Sequence, residues 1–81
     1  MSNFINIGSG NLVNINRVLS LVEPESAPVK RLIGDAKKNG KLINASQGHK
    51  TRSVLSLDSG HIVLSFLTPA VLEKRLNAEE N

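Results

Sequence analysis

The sequence predicts a small α+β domain: an antiparallel sheet of short strands, one helix inserted after the third strand and another at the C-terminus, assembled as a homo-oligomer. Three observations predict it. Aliphatic and β-branched runs of strand length are cut by polar, glycine-containing turns. Helix punctuation occurs twice, from Ser26 to Gly40 and from Thr68 onward. The 81 residues include no cysteine, and a single domain of this size buries only about 60% of the surface its unfolded chain exposes. Self-association is then the remaining means of reinforcing it, because structural zinc needs about four ligands and the histidines are only His49 and His61.

Asn3 to Ile7 alternates polar and apolar residues, which suits a first strand ending in the turn Gly8-Ser9-Gly10-Asn11. Leu12, Val13 and Ile15 form an irregular second strand among asparagines. Arg17 to Val22 is a third, with apolar residues on both faces, stopped by Glu23-Pro24. The first helix has Ser26 as N-cap, Pro28 in its first turn where a missing N–H costs nothing, and Gly40 as its stop. Val29, Leu32, Ile33 and Ala36 make its buried stripe, and Lys30, Arg31, Lys37 and Lys38 fall on the opposite side around Gly34. Lys41 to Asn44 is a short strand, followed by the polar loop Asn44 to Arg52. Arg52 to Leu57 and His61 to Leu67 form a hairpin about Asp58-Ser59-Gly60. Ile62, Leu64 and Phe66 share one face of the last strand, while Val63 and Leu67 share the other, so both faces need cover, from a helix or from another copy of the chain. Thr68 caps the final helix with Pro69 at its first position and Leu67 placed to staple against Leu72; Asn77 to Asn81 should fray. No linker or repeat divides residues 1–81, which are expected to form one domain for both oligomerisation and binding.

Charge is the main guide to function. Net charge is only +3, but Lys30 to Arg52 holds seven cations against Asp35 alone, a window of +6 that leaves −3 for the rest. A molecule with one basic side is expected, suited to a polyanion. The aromatics are only Phe4 and Phe66, both in core-like strand positions, so the stacking platform typical of single-strand binders is absent. Lys and Arg among the small polar donors Asn44, Ser46, Gln47 and Thr51 instead suit duplex phosphates; Gln47 and Arg52 also have side chains able to read bases. No apolar run approaches the roughly 20 residues of a membrane span, and the N-terminus lacks the basic flank of a secretory signal. A cytoplasmic, nucleoid-associated protein is expected.

Enzyme motifs fail on inspection. Gly8-Ser9-Gly10-Asn11 lacks the third glycine and the following helix of a dinucleotide fingerprint, and Gly48-His49-Lys50-Thr51 has the wrong register for a P-loop. Asp58, Ser59 and His61 have the residue types of a triad, but one hairpin tip cannot easily align them. No catalysis, cofactor, metal or small-molecule substrate is expected.

Phe4-Ile5-Asn6-Ile7-Gly8, Asn16-Arg17, Pro24 to Arg31, Gly40-Lys41-Leu42 and the Gly48 to Arg52 loop, in this order and spacing, resemble the RemA-type extracellular matrix regulators. The resemblance implies a bacterial transcriptional regulator of biofilm-matrix genes, a closed homo-oligomeric ring with a basic surface toward double-stranded DNA. It implies functional roles for Arg17, for the pair His49 and Lys50, and for Pro28. The family pattern has consecutive arginines where this chain carries His49-Lys50. Lysine keeps the attraction to phosphate but lacks the bidentate fork, which favours phosphate contact over base or minor-groove reading. The expected DNA-binding set is therefore Arg17, Lys30, Arg31, Lys37, Lys38, Gln47, His49, Lys50 and Arg52, with Pro28 structural. The alternative is an interaction module whose basic face meets an acidic protein.

Overall fold

Strand-forming runs and capped helices appear close to where the residue patterns place them. The computed structural model describes residues 3–79. Strands β1 (Phe4–Asn6) and β2 (Leu12–Asn14) pair antiparallel as a separate two-stranded ribbon. Strands β3 (Val18–Val22), β4 (Leu42–Asn44), β5 (Ser53–Leu57) and β6 (Ile62–Ser65) form a four-stranded sheet in the order β3-β5-β6-β4. Helix α1 (Ala27–Lys38) joins β3 to β4, and α2 (Pro69–Glu79) follows β6.

The sheet is mixed rather than antiparallel. β5 pairs antiparallel with both β3 and β6, but β4 lies parallel to β6, with Leu42 beside Ile62 and Asn44 beside Leu64. The reason is topological: α1 carries the chain back along the sheet, so β4 starts at the end where β6 starts and must run the same way. A second departure is Ile15–Arg17, a turn of 3-10 helix instead of strand. The Asn14 side chain accepts from the Asn16 amide at 2.9 Å, the local competition by which short polar side chains draw backbone away from a ladder.

Both helices begin as their sequences dictate. Ser26 Oγ accepts the Val29 amide at 3.3 Å, and Pro28 sits in the first turn of α1. At the other end Gly40, at φ 70°, allows Lys41 N–H to bond Ala36 carbonyl at 2.8 Å and Gly40 N–H to bond Lys37 carbonyl at 3.3 Å, a Schellman closure. Thr68 Oγ1 caps α2 at the Val71 amide, 3.3 Å. The stretch from Asn77 expected to fray is helical through Glu79; residues 80–81 lie outside the described residues.

The sheet separates two cores. On one face Val54, Ile62 and Leu64 pack with Ala36, Val29 and Ile33 of α1. Leu32, expected in the same stripe, is exposed, beside a cleft bordered by Asp35, Asn39 and Lys41. On the other face Leu55 and Val63 pack with Ile5, Ile7 and Val13 of the ribbon and Leu72 of α2, with Leu67 and Leu76 alongside. The ribbon and α2 of the same chain thus cover the second sheet face, so its apolar pattern no longer requires another copy. Neither phenylalanine is the core residue the pattern suggested: Phe4 is 49% exposed on β1, and Phe66 is half-buried beyond the end of β6.

Candidate nucleic-acid interface

β4 and β5 are consecutive in sequence but not neighbours in the sheet, because β6 lies between them. The loop 45–52 therefore arches across the C-terminal end of β6. Its limbs are bonded to that strand: Ala45 N–H donates to Leu64 carbonyl at 2.9 Å, and Arg52 N–H donates to Ser65 carbonyl at 2.8 Å. At the base Asn44 Oδ1 accepts the Ser46 amide at 3.0 Å and also the Ser46 hydroxyl, and Ala45 and Ser46 are buried. At the tip His49 N–H closes on Ser46 carbonyl at 3.0 Å, with Gln47 at φ 56° and Gly48 at φ 79°. Two positive φ angles inside a four-residue closure make a type I′ turn, whose second central position glycine fills without strain.

This framework leaves Gln47, His49, Lys50 and Arg52 all exposed. The His49 ring meets Phe66 at a centroid distance of 5.0 Å and an interplanar angle of 49°, within the range of favourable aromatic pairs. Lys50 and Arg52 are in no ion pair among the described residues; the salt bridge there joins Arg17 to Asp58.

The other expected residues are placed elsewhere. Arg17 ends the 3-10 turn, its carbonyl accepting the Asp58 amide at 2.8 Å and its guanidinium 3.4 Å from the Asp58 carboxylate. Asp58 follows the far end of β5, so at about 3.3 Å per strand residue Arg17 stands roughly 20 Å from Arg52. Lys30, Arg31, Lys37 and Lys38 are exposed on α1, which covers the face opposite the ribbon. Pro28, expected as structural, sits in the first turn of α1. The expected residues are therefore spread over a single chain: the loop lies at one end of the sheet, Arg17 at the other, and α1 along one face.

A groove of about 230 Å³ connects the first two: Arg17 and Ala45 both line it, over a floor of Ile7, Leu57 and Val63, with Leu12 and Ile43 beside it. Leu12 is 62% and Ile43 46% exposed. At the hairpin tip Ser59 Oγ and His61 Nδ1 are 2.8 Å apart, but the Asp58 carboxylate is directed to Arg17 instead of to the imidazole. No helix of the described residues is long and apolar enough to cross a membrane.

Sequence patterns missed the residues beneath the loop. Ser65 is fully buried, and its hydroxyl donates to Ile7 carbonyl at 2.7 Å. Phe66 lies so close to Gly8 that a Cβ there would stand 2.7 Å from the ring. A signal existed in the serine that interrupts an aliphatic strand and in the glycine that follows Ile7, but each has a simpler explanation when read alone.

Comparison with known proteins adds the family. The sequence model of the RemA-like family, extracellular matrix regulatory protein A-like, matches residues 4–76. A relative from Carboxydothermus hydrogenoformans, named "Putative regulatory protein", is 51% identical over 78 residues, 96% of this chain and 90% of the relative. One of Geobacillus kaustophilus is 44% identical over 81 residues, 100% of this chain and 93% of the relative. Extracellular matrix regulatory protein A of Bacillus subtilis is 50% identical over 76 residues, 94% of this chain and 85% of the relative. The names are those of regulators and not of enzymes. With nearly the whole chain matched and the pattern from Phe4 to Leu76 retained, the protein belongs to the RemA-like family of extracellular matrix regulatory proteins.

Proposed function

We propose that the chain binds double-stranded DNA as a homo-oligomer, a closed ring, and regulates transcription of extracellular-matrix and biofilm genes from the cytoplasm, at the nucleoid. The observation that carries this is the loop 45–52: a hydrogen-bonded arch that leaves Lys50 and Arg52 exposed, without ion-pair partners among the described residues. Such preset cations suit phosphates, whose neutralisation releases counterions. Gln47 beside them is equipped to reach a base edge. The regulatory role is supported by the family and by the name of the Bacillus subtilis relative.

Oligomerisation answers the dispersion of charge. One chain offers few phosphate contacts, with Arg17 and the loop at opposite ends; copies set side by side repeat both and gain by effective concentration. Exposed Leu12 and Ile43 beside the apolar groove are suited to cover by a second copy. The test combines light scattering with duplex binding titrated by salt on one sample. The expected result is a multimer whose log affinity falls against log salt with a slope of about −0.9 for each phosphate neutralised. Binding unchanged between low and physiological salt overturns the proposal, and capture of an acidic protein without duplex affinity supports an interaction module instead.

A further inference from the structure

We infer that the uncharged pair Ser65-Phe66 positions the basic loop for nucleic acid by clamping it, across the end of β6, to the Gly8 turn; this rests on the DNA-binding function proposed above. The strand order forces the loop over this dipeptide, and four contacts convert the crossing into a clamp. Ser65 carbonyl takes the Arg52 amide at 2.8 Å, and its hydroxyl donates to Ile7 carbonyl at 2.7 Å. The Phe66 ring meets the His49 ring at 5.0 Å and also lies against Gly8, where a Cβ would come within 2.7 and 2.9 Å of ring carbons. The two turns so joined have the same geometry. Gly8-Ser9-Gly10-Asn11 closes from Asn11 N–H to Gly8 carbonyl at 3.0 Å with Ser9 and Gly10 at φ 54° and 80°, the type I′ form already seen in the loop.

Ser65 is wholly buried and Phe66 half-buried, and neither has a charge to offer DNA. They act through the loop, as positioning residues. Holding the loop in one shape before binding removes an ordering cost that a loose loop would meet at the moment of binding. The N-terminal ribbon is thereby tied, through Ile7 and Gly8, to the support of the loop.

The experiment uses the full chain with Phe66→Leu, which keeps an apolar side chain against Gly8 but gives His49 no ring. Duplex affinity is expected to fall about threefold to tenfold, the span of an aromatic pair expressed as affinity. The salt slope should not change, because every cation remains. A double-mutant cycle with His49→Ala should show the combined variant no weaker than the weaker single one, since both break the same contact. Amide hydrogen exchange at residues 46–49 should quicken in Phe66→Leu while β5 and β6 stay protected. Unchanged affinity, multiplied losses in the cycle or unchanged exchange each overturn the clamp. If the unaltered chain fails to bind duplex, the functional proposal falls, and hydrogen exchange alone then decides whether Phe66 holds the loop.

Discussion

The two ends of β5 carry similar chemistry and arrange it in opposite ways. Beyond Ser53 the backbone is bonded to β6 at both limbs of the loop, and the Lys50 and Arg52 side chains are left exposed, with no ion pair among the described residues. Beyond Leu57 the hairpin tip uses its charges on itself: Arg17 faces Asp58 at 3.4 Å, and Lys41 Nζ donates to Ser59 carbonyl at 3.4 Å. Rigid backbone with uncommitted cations is what a polyanion site needs. Cations answered within the chain are less available, so the loop end should dominate binding and the Arg17 end should contribute only where the ion pair is exchanged for a phosphate.

The largest expected effect comes from removing both ends together. Lys50→Ala with Arg17→Ala should abolish retardation of duplex DNA at physiological salt, and the binding left at low salt should show a salt slope smaller in magnitude by about 1.8, two phosphates' worth. Light scattering should report the same oligomer. If Arg17→Ala alone does as much as the pair, the contrast between the ends is reversed.

Next is Gly8→Ala, directed at the support of the loop end. Gly8 has φ 119° and faces Phe66 with no room for a methyl group. Both the backbone conformation and the contact oppose the change, at a cost of about 1–3 kcal/mol. Thermal unfolding should move down by roughly 4–8 °C for each kcal/mol lost. The same substitution at Gly34 should act in reverse. Gly34 lies within α1 with nothing near a would-be Cβ, so Gly34→Ala should stabilise by about 1 kcal/mol. Duplex affinity unchanged in that stabilised variant would place the α1 face outside the DNA contact; a loss would bring Gly34, Lys30 and Lys37 back into it.

What was legible in the residues was local. Ser26, Pro28 and Gly40 bounded α1, Thr68 and Pro69 opened α2, and Asp58-Ser59-Gly60 made the hairpin, because each signal acts within a few positions along the chain. Partner choice between strands is not local. Nothing within Leu42–Asn44 states that it will lie parallel to β6, and that pairing is what sends the loop over Ser65-Phe66. Phe66 consequently read as a core strand residue, when it lies half-buried between the His49 ring and Gly8. The loop itself was visible as a basic, glycine-containing break between aliphatic runs. Its relation to Arg17 was not, since the distance between them is set by β5 and by the 3-10 turn that replaces the expected strand at Ile15.

The smallest effect, and the sharpest probe of the Arg17 end, belongs to Asp58→Asn. The pair is exposed on both sides, with side-chain exposures of 63% and 41%, and an ion pair of this kind contributes about 0–1 kcal/mol. Its loss should leave the melting temperature nearly unchanged, the more so because the Asp58 backbone amide keeps its bond to Arg17 carbonyl. The carboxylate nevertheless neutralises Arg17 and repels an approaching phosphate. Replacing it with an amide of the same shape should strengthen duplex binding by a few-fold at most, about the affinity equivalent of such a pair, and the gain should shrink as salt screens it. A gain confined to low salt, absent when Arg17→Ala is present as well, identifies Asp58 as the restraint on Arg17. Equal binding with and without the carboxylate shows that Arg17 lies outside the DNA contact and leaves the interface to the loop.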